Sequence, residues 1–273
     1  MTVGAVGAVG PGSALGHRFE PFGSQHLVLL GLFVAGAVGV VLLGRAQRGR
    51  RSARVTGRVL AVLLTAVAVP GQVLQLTPGD FDLGTSLPLQ LCDLAWVAAV
   101  CGLRTHRPLP VALTYYWGLT LTVQGILTPS LAEAFPDPRF LVFWGMHLLV
   151  VWSALYLTLG LGLGPGWRGY AWSVLVTAGW AVLVYAFDVA CDVNYGYLVH
   201  KPASASLLDP LGPWPVYLLA GLVILLAGWA LMTWPWVAAR ARAGADRAGP
   251  DVGSLTGCEA RTPSSRSARP RRR

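Results

Sequence analysis

Charge is what this chain has least of. Only 12% of its 273 residues are Asp, Glu, Lys or Arg, about half the share of a soluble domain. Lysine is reduced to Lys201 alone. With 54% of the residues hydrophobic and a mean hydropathy of +0.57, a water-soluble core of this length cannot hide the apolar surface. An ordinary soluble domain is thereby excluded, and lipid must be the solvent for most of the chain. Cysteine is also scarce. Cys92, Cys101, Cys191 and Cys258 form no pair at CxxC spacing, so neither a zinc site nor a thioredoxin motif is expected. No metal and no cofactor is implied.

What charge there is has one sign. The net charge is +9 and the pI about 9.9. Such a balance often marks nucleic-acid binding, but its placement argues against that here. Nine Arg lie from Arg240 onward and six between Arg45 and Arg58. Both blocks flank apolar runs, as cytoplasmic loops do. The expected partners are membrane lipids, including anionic headgroups against the Arg blocks, and not nucleic acid. The Arg, Ala and Gly bias reads as GC-rich coding.

Seven apolar runs follow a Gly/Ala/Val-rich start, each near the ~20 residues that span the hydrocarbon. They cover about 25–43, 59–76, 87–103, 109–127, 139–161, 170–190 and 214–236. The fold class expected is all-α: a polytopic bundle of about seven transmembrane helices. Arg104-Thr105-His106-Arg107-Pro108 closes runs three and four into a tight hairpin. Odd-numbered connections carry Arg, and even-numbered ones carry Asp80, Asp82, Glu133, Asp137, Asp192 and Asp209. The positive-inside rule then sets the N-terminus outside and the C-terminus inside, in a plasma (inner) membrane. Residues 1–23 are expected to be a flexible extracytoplasmic tail, 24–238 the membrane domain and 239–273 a disordered Arg-rich cytoplasmic tail. Basic residues after the first run argue against a cleaved signal peptide. The Ala35-xxx-Gly39 pair reads as ordinary packing, so no motif fixes an oligomeric state.

Polar residues inside a span are costly and tend to mark function. Given that orientation, Gln25, His26, Gln72, Gln75, Gln90, Cys92, Asp93, Gln124, Asp188 and Asn194 fall in the outer half, and Tyr116 approaches the middle. His147 lies eight residues below Arg139, roughly 12 Å down at ~1.5 Å per residue. Such a concentration suggests a shared outer cavity. Each group also has a plainer role. His147 either catalyses or binds, or hydrogen-bonds a neighbouring helix. Asp93 and Asp188 are either functional or buried partners of a Gln, Tyr or His. His26 is a ligand contact or an interfacial cap, and Cys92 a nucleophile or a small buried hydrophobe. The Pro- and Gly-punctuated connection from Asp192 to Pro215 reads as a structured cap or as a plain loop.

Leu87-Pro88-Leu89-Gln90-Leu91-Cys92, Tyr116-Trp117-Gly118-Leu119, Gln124-Gly125-Ile126-Leu127-Thr128-Pro129, Phe135-Pro136 and His147 carry a resemblance. So do Asn194-Tyr195, Tyr197-Leu198, Lys201-Pro202, Ser206-Leu207-Leu208-Asp209 and Gly212-Pro213-Trp214-Pro215. Over roughly 20–236 the chain resembles the YwaF-type bacterial integral membrane proteins. These are similar to the eukaryotic transmembrane protein 164 group and more distantly to the androgen-induced membrane hydrolases. The resemblance implies lipid acyl chemistry, with a nucleophile on one helix and a His on another, and His147 matches the family His. The eukaryotic Pro-Cys-His stretch falls on Pro88-Leu89-Gln90, so the family Cys is Leu89 here. Cys92 lies one helical turn further, on nearly the same face.

Three readings follow. In the first, an acyltransferase or hydrolase uses His147 as base and Cys92 or a hydroxyl as nucleophile, with Asp93 or Asp188 orienting the His. Gln90, Gln124, Tyr116, Asn194 and His26 would contact substrate. In the second, a transporter or receptor-like binder pairs Asp93 and Asp188 with a cation or proton. The third is a non-enzymatic accessory membrane protein.

Overall fold

The computed structural model describes residues 18–129, 131–202 and 208–247. Most of both expected tails, together with Ser206, Leu207 and Cys258, lies outside those residues. The chain divides into two units, 1–237 and 238–273, and the described part of the second, 238–247, is helical.

The described residues form α1 (Ser24–Ala46), α2 (Ser52–Gln75), α3 (Leu91–Thr105), α4 (Pro108–Trp117), α5 (Val123–Leu127), α6 (Pro138–Leu155), α7 (Trp167–Cys191) and α8 (Val216–Arg247). A π turn, Gly118–Thr122, joins α4 and α5 into one rod, and another, Tyr156–Gly160, ends α6. Seven rods therefore stand where the sequence shows seven apolar runs. Among the described residues the only extended pairing is an isolated bridge between Arg18 and Glu133. Five helices (α1, α2, α6 with its π turn, α7 and α8) are long and apolar enough to cross a bilayer by themselves. The chain is a polytopic helical membrane protein.

The third rod starts later than its apolar run. Pro88 lacks an N–H and disfavours helix at Leu87. The helix begins where Asp93 Oδ2 accepts the Gln90 N–H at 3.1 Å. At 15 residues α3 spans about 22 Å, short of the ~30 Å hydrocarbon. Segment 83–90 makes up the difference without helix, so neighbouring side chains must hold its backbone. Gln72 Nε2 donates to Ser86 O at 2.7 Å and Trp180 Nε1 to Leu89 O at 2.9 Å. The Tyr195 hydroxyl accepts from Leu87 N–H at 3.0 Å and donates to Leu83 O at 2.7 Å.

Depth in the bundle differs sharply between helices. Of the most apolar stretch of each, 56% is buried in α6 but 6% in α1 and 11% in α7. The α6 rod is thus the hub. The outer helices present bare apolar belts, with Val28 71% and Leu183 and Leu231 each 73% exposed. Patches of that extent aggregate in water and are at home in lipid. Both π turns are stitched by threonine. Thr122 Oγ1 donates to Trp117 O at 3.2 Å and Thr158 Oγ1 to Ala154 O at 2.6 Å, so each hydroxyl is satisfied within its own rod.

The connections sort by end as their charges imply. At the basic end, Arg48 donates to Gly160 O at 2.7 Å and Leu159 O at 3.0 Å, and the Tyr156 hydroxyl donates to Gln47 Oε1 at 2.7 Å. At the other end Arg139 pairs with Asp80 and Glu133, and Phe19 N–H donates to Ala132 O at 3.0 Å. The basic end closes on a glycine crossing. A Cβ on Gly44 would lie 2.6 Å from Gly160 Cα, whereas one on Gly39 meets open space. Gly44→Val should therefore cost about 1–3 kcal/mol through overpacking, measured by thermal unfolding in detergent, with Gly39→Val near neutral. Equal effects would remove the crossing from the account.

Candidate functional site

His147 sits on the most buried of the five long helices, 5% exposed, nine residues after the start of α6. Its Nδ1 lies 2.7 Å from Phe143 O one turn back. A carbonyl only accepts, so Nδ1 carries the proton, and in the neutral ring Nε2 keeps a bare lone pair. The Phe143 ring backs the imidazole, centroids 4.1 Å apart. Nε2 and Cδ2 face Gly125 on α5, where an added Cβ would lie 3.0 and 3.1 Å from them. No described residue hydrogen-bonds Nε2. The result is a fixed imidazole whose acceptor edge meets a position without a side chain, one turn after a π turn. Such turns recur at functional sites.

His26 is placed quite differently. Nδ1 accepts the Phe22 N–H at 2.8 Å, so Nε2 carries the proton and donates to Ile126 O at 2.9 Å. The ring is fully buried among Phe19, Phe22 and Trp144. Both nitrogens are engaged in tying the start of α1 to the end of α5, which leaves no lone pair for a ligand. Because α5 also carries Gly125, His26 positions the glycine that faces His147.

The α7–α8 connection gathers most of the remaining candidates. Gln90 Oε1 accepts the Gly196 N–H at 3.0 Å while its backbone N–H caps onto Asp93. Asp188, 1% exposed, accepts the Tyr195 N–H on Oδ1 at 3.0 Å, and its Oδ2 is buried without a partner. Asn194 organises the turn, with Oδ1 accepting Val199 N–H at 3.1 Å and Nδ2 donating to His200 O at 2.8 Å. Burial first, then the carboxylates of Asp82, Asp93 and Asp188, push the Tyr195 phenol above its ordinary range. The phenol therefore stays protonated and able to donate.

The other candidates stand apart. Tyr116 is fully buried, bonded to Thr233 Oγ1 at 2.6 Å and stacked on Trp229 at 4.7 Å. Gln124 is exposed. Cys92 is half-buried and unpaired at the second position of α3. Helices α3 and α6 pack together, but among the described residues no hydrogen bond joins His147 to Cys92, Asp93 or Asp188. What the structure unites is Gln90, Asp93, Asp188 and Asn194 around Tyr195, and the His147–Gly125 pair is separate. Among the described residues no group of three or more His, Cys, Asp or Glu could hold a metal.

Two residues of this arrangement were not legible as site members. Trp180 shows in the sequence as one more apolar residue of a span, with only its indole N–H as a hint. Gly125 shows as a glycine in a helix, and its meaning comes from the imidazole opposite.

No curated protein and no solved structure matches the chain. The TMEM164 family matches it over residues 21–233, from the first helix into the last. The match covers most of the sequence, and the chain belongs to the TMEM164 family.

Proposed function

We propose that this membrane protein carries out acyl chemistry on membrane lipids, with the Nε2 lone pair of His147 as general base. The supporting observation is the fixed tautomer: Nδ1–H is held by Phe143 O, and Nε2 is left unpaired at Gly125. A buried, neutral, oriented imidazole with a free lone pair is what proton abstraction requires. The orienting partner is a backbone carbonyl, in the place a carboxylate takes in a triad. Cys92, on α3 packed against α6, is the proposed nucleophile, and it comes within reach of Nε2 when lipid is bound. Its thiol gives its proton to Nε2 as sulfur attacks the acyl ester carbonyl. The C–O bond then breaks, the lysolipid oxygen takes the proton back, and a thioester remains. A lipid hydroxyl or water, deprotonated by Nε2, attacks that thioester and returns the thiol. The charge alternation of the connections supports the outer half of a plasma membrane as the place of this chemistry.

A second reading draws on Asp188, whose Oδ2 is buried and unpartnered: an ion-coupled binder in which that oxygen receives a proton or cation. One comparison decides between them. In lipidomics of a deletion strain complemented with wild type, His147→Ala or Asp188→Asn, the acyl reading expects the His147→Ala profile to match the deletion. Identical profiles in all strains sink it. If cation-dependent uptake by proteoliposomes is then lost in Asp188→Asn, the second reading takes its place.

A further inference from the structure

At the basic end, a cavity of about 240 Å³ is lined by Arg48, Arg50, Arg54, His106, Leu161 and Leu163. It lies between the α1–α2 connection, the α3–α4 turn and the end of the α6 rod. We infer that this cavity binds the headgroup phosphate of an anionic glycerophospholipid.

The wall is built before any ligand arrives. Arg48 is locked by its bonds from Nε to Gly160 O and from Nη2 to Leu159 O, which leaves Nη1 for another acceptor. Those carbonyls end a helix, where a cation is stabilised. The guanidiniums of Arg50 and Arg54 make no hydrogen bond or ion pair with any described residue. Arg139, at the opposite end, has carboxylate partners in Asp80 and Glu133. No local carboxylate can neutralise the cavity, because 44–58, 104–108 and 161–168 contain no Asp or Glu. Three guanidiniums thus share a small space with no counter-charge from their own segments.

His106 holds the left-handed position that ends α3 (φ 53°), and its Nε2 is buried without a partner. Burial first, and the charge of Arg54 after it, hold its imidazole below the usual value. It is therefore neutral at pH 7, and the guanidiniums carry the charge. Their planar forks match phosphate oxygens in a way a lysine does not. Leu161 and Leu163 give the same cavity an apolar side, which suits a glycerol backbone and favours a lipid over free phosphate. Its place, at the ends of helices whose flanks face lipid, is that of headgroups.

The test uses the full-length protein in a neutral detergent and isothermal titration with dioctanoyl phosphatidylglycerol, dioctanoyl phosphatidylcholine, glycerol 3-phosphate and inorganic phosphate. The expected result is saturable binding of phosphatidylglycerol at least tenfold tighter than of the other three. It should weaken at least tenfold in Arg50→Gln/Arg54→Gln and return only in part in Arg50→Lys/Arg54→Lys, which keeps the charge but not the fork. Arg168→Gln, outside the cavity, should bind as wild type, and all variants should melt within a few degrees of it. Inorganic phosphate binding as tightly as the lipid overturns the lipid assignment. Lipid binding unchanged in the double variant, or equally lost in Arg168→Gln, overturns the site.

Discussion

Tyr195→Phe should be among the most destabilising conservative changes in this protein. The ring is fully buried, and the substitution keeps its packing while deleting one oxygen. That oxygen serves two backbone groups of a non-helical segment, Leu87 N–H and Leu83 O. A buried donor or acceptor stripped of its partner costs about 1–3 kcal/mol. Two stripped at once put the loss at roughly 2–4 kcal/mol. Tyr197, two residues on, is 37% exposed, so Tyr197→Phe should stay within about 0.5 kcal/mol of wild type. Equilibrium unfolding in mixed micelles measures both. Hydrogen exchange supplies the local readout: amides in 83–90 should exchange faster in Tyr195→Phe while those of α6 do not. Equal stability of the two variants would mean that the hydroxyl is not what holds the segment.

The same hydroxyl shows how far the sequence could be read. The rods were legible because lipid imposes a length and a composition on each, and because the alternation of charge along the connections names the ends. The start of α3 was not, because Leu87, Leu89 and Leu91 look equally apolar. What decides there is which backbone groups side chains from α2, α7 and the last connection can reach. Position along a rod was legible too, since it follows from residue count. Rotation was not. Knowing that His26 and His147 both sit near the same end could not reveal that one has both nitrogens occupied and the other only one. That distinction depends on which carbonyl each ring meets, Ile126 O across the bundle or Phe143 O one turn back. Likewise Asp93, Asp188 and Gln90 read as candidates for chemistry by cost of burial alone. In the structure their bonds run to Gln90 N–H, Tyr195 N–H and Gly196 N–H, so a large part of that cost is offset by fixing the start of α3 and the α7–α8 connection.

The largest functional effect should come from one methyl group. Gly125→Ala puts a Cβ 3.0 Å from Nε2 of His147, on the edge that the proposed chemistry uses. The imidazole has little room to yield, because Nδ1 is tied to Phe143 O and the Phe143 ring lies on its face. As a helix substitution Gly→Ala is favourable by about 0.5–1 kcal/mol, which works against the tight contact, so stability should change by less than about 1 kcal/mol in either direction. Activity should not be so tolerant. General-base catalysis contributes roughly 10²–10⁴-fold, and a methyl that covers the lone pair should remove most of it. The lipid-conversion rate in Gly125→Ala is expected to fall at least a hundredfold, close to that of His147→Ala, while Gly39→Ala, which meets open space, keeps the wild-type rate. Purified variants assayed on one lipid, with unfolding measured in parallel, separate chemistry from folding. A Gly125→Ala protein that turns over normally while His147→Ala does not would show that Nε2 is not the working atom. His147 would then be a structural residue, joined like His26 to the helices around it.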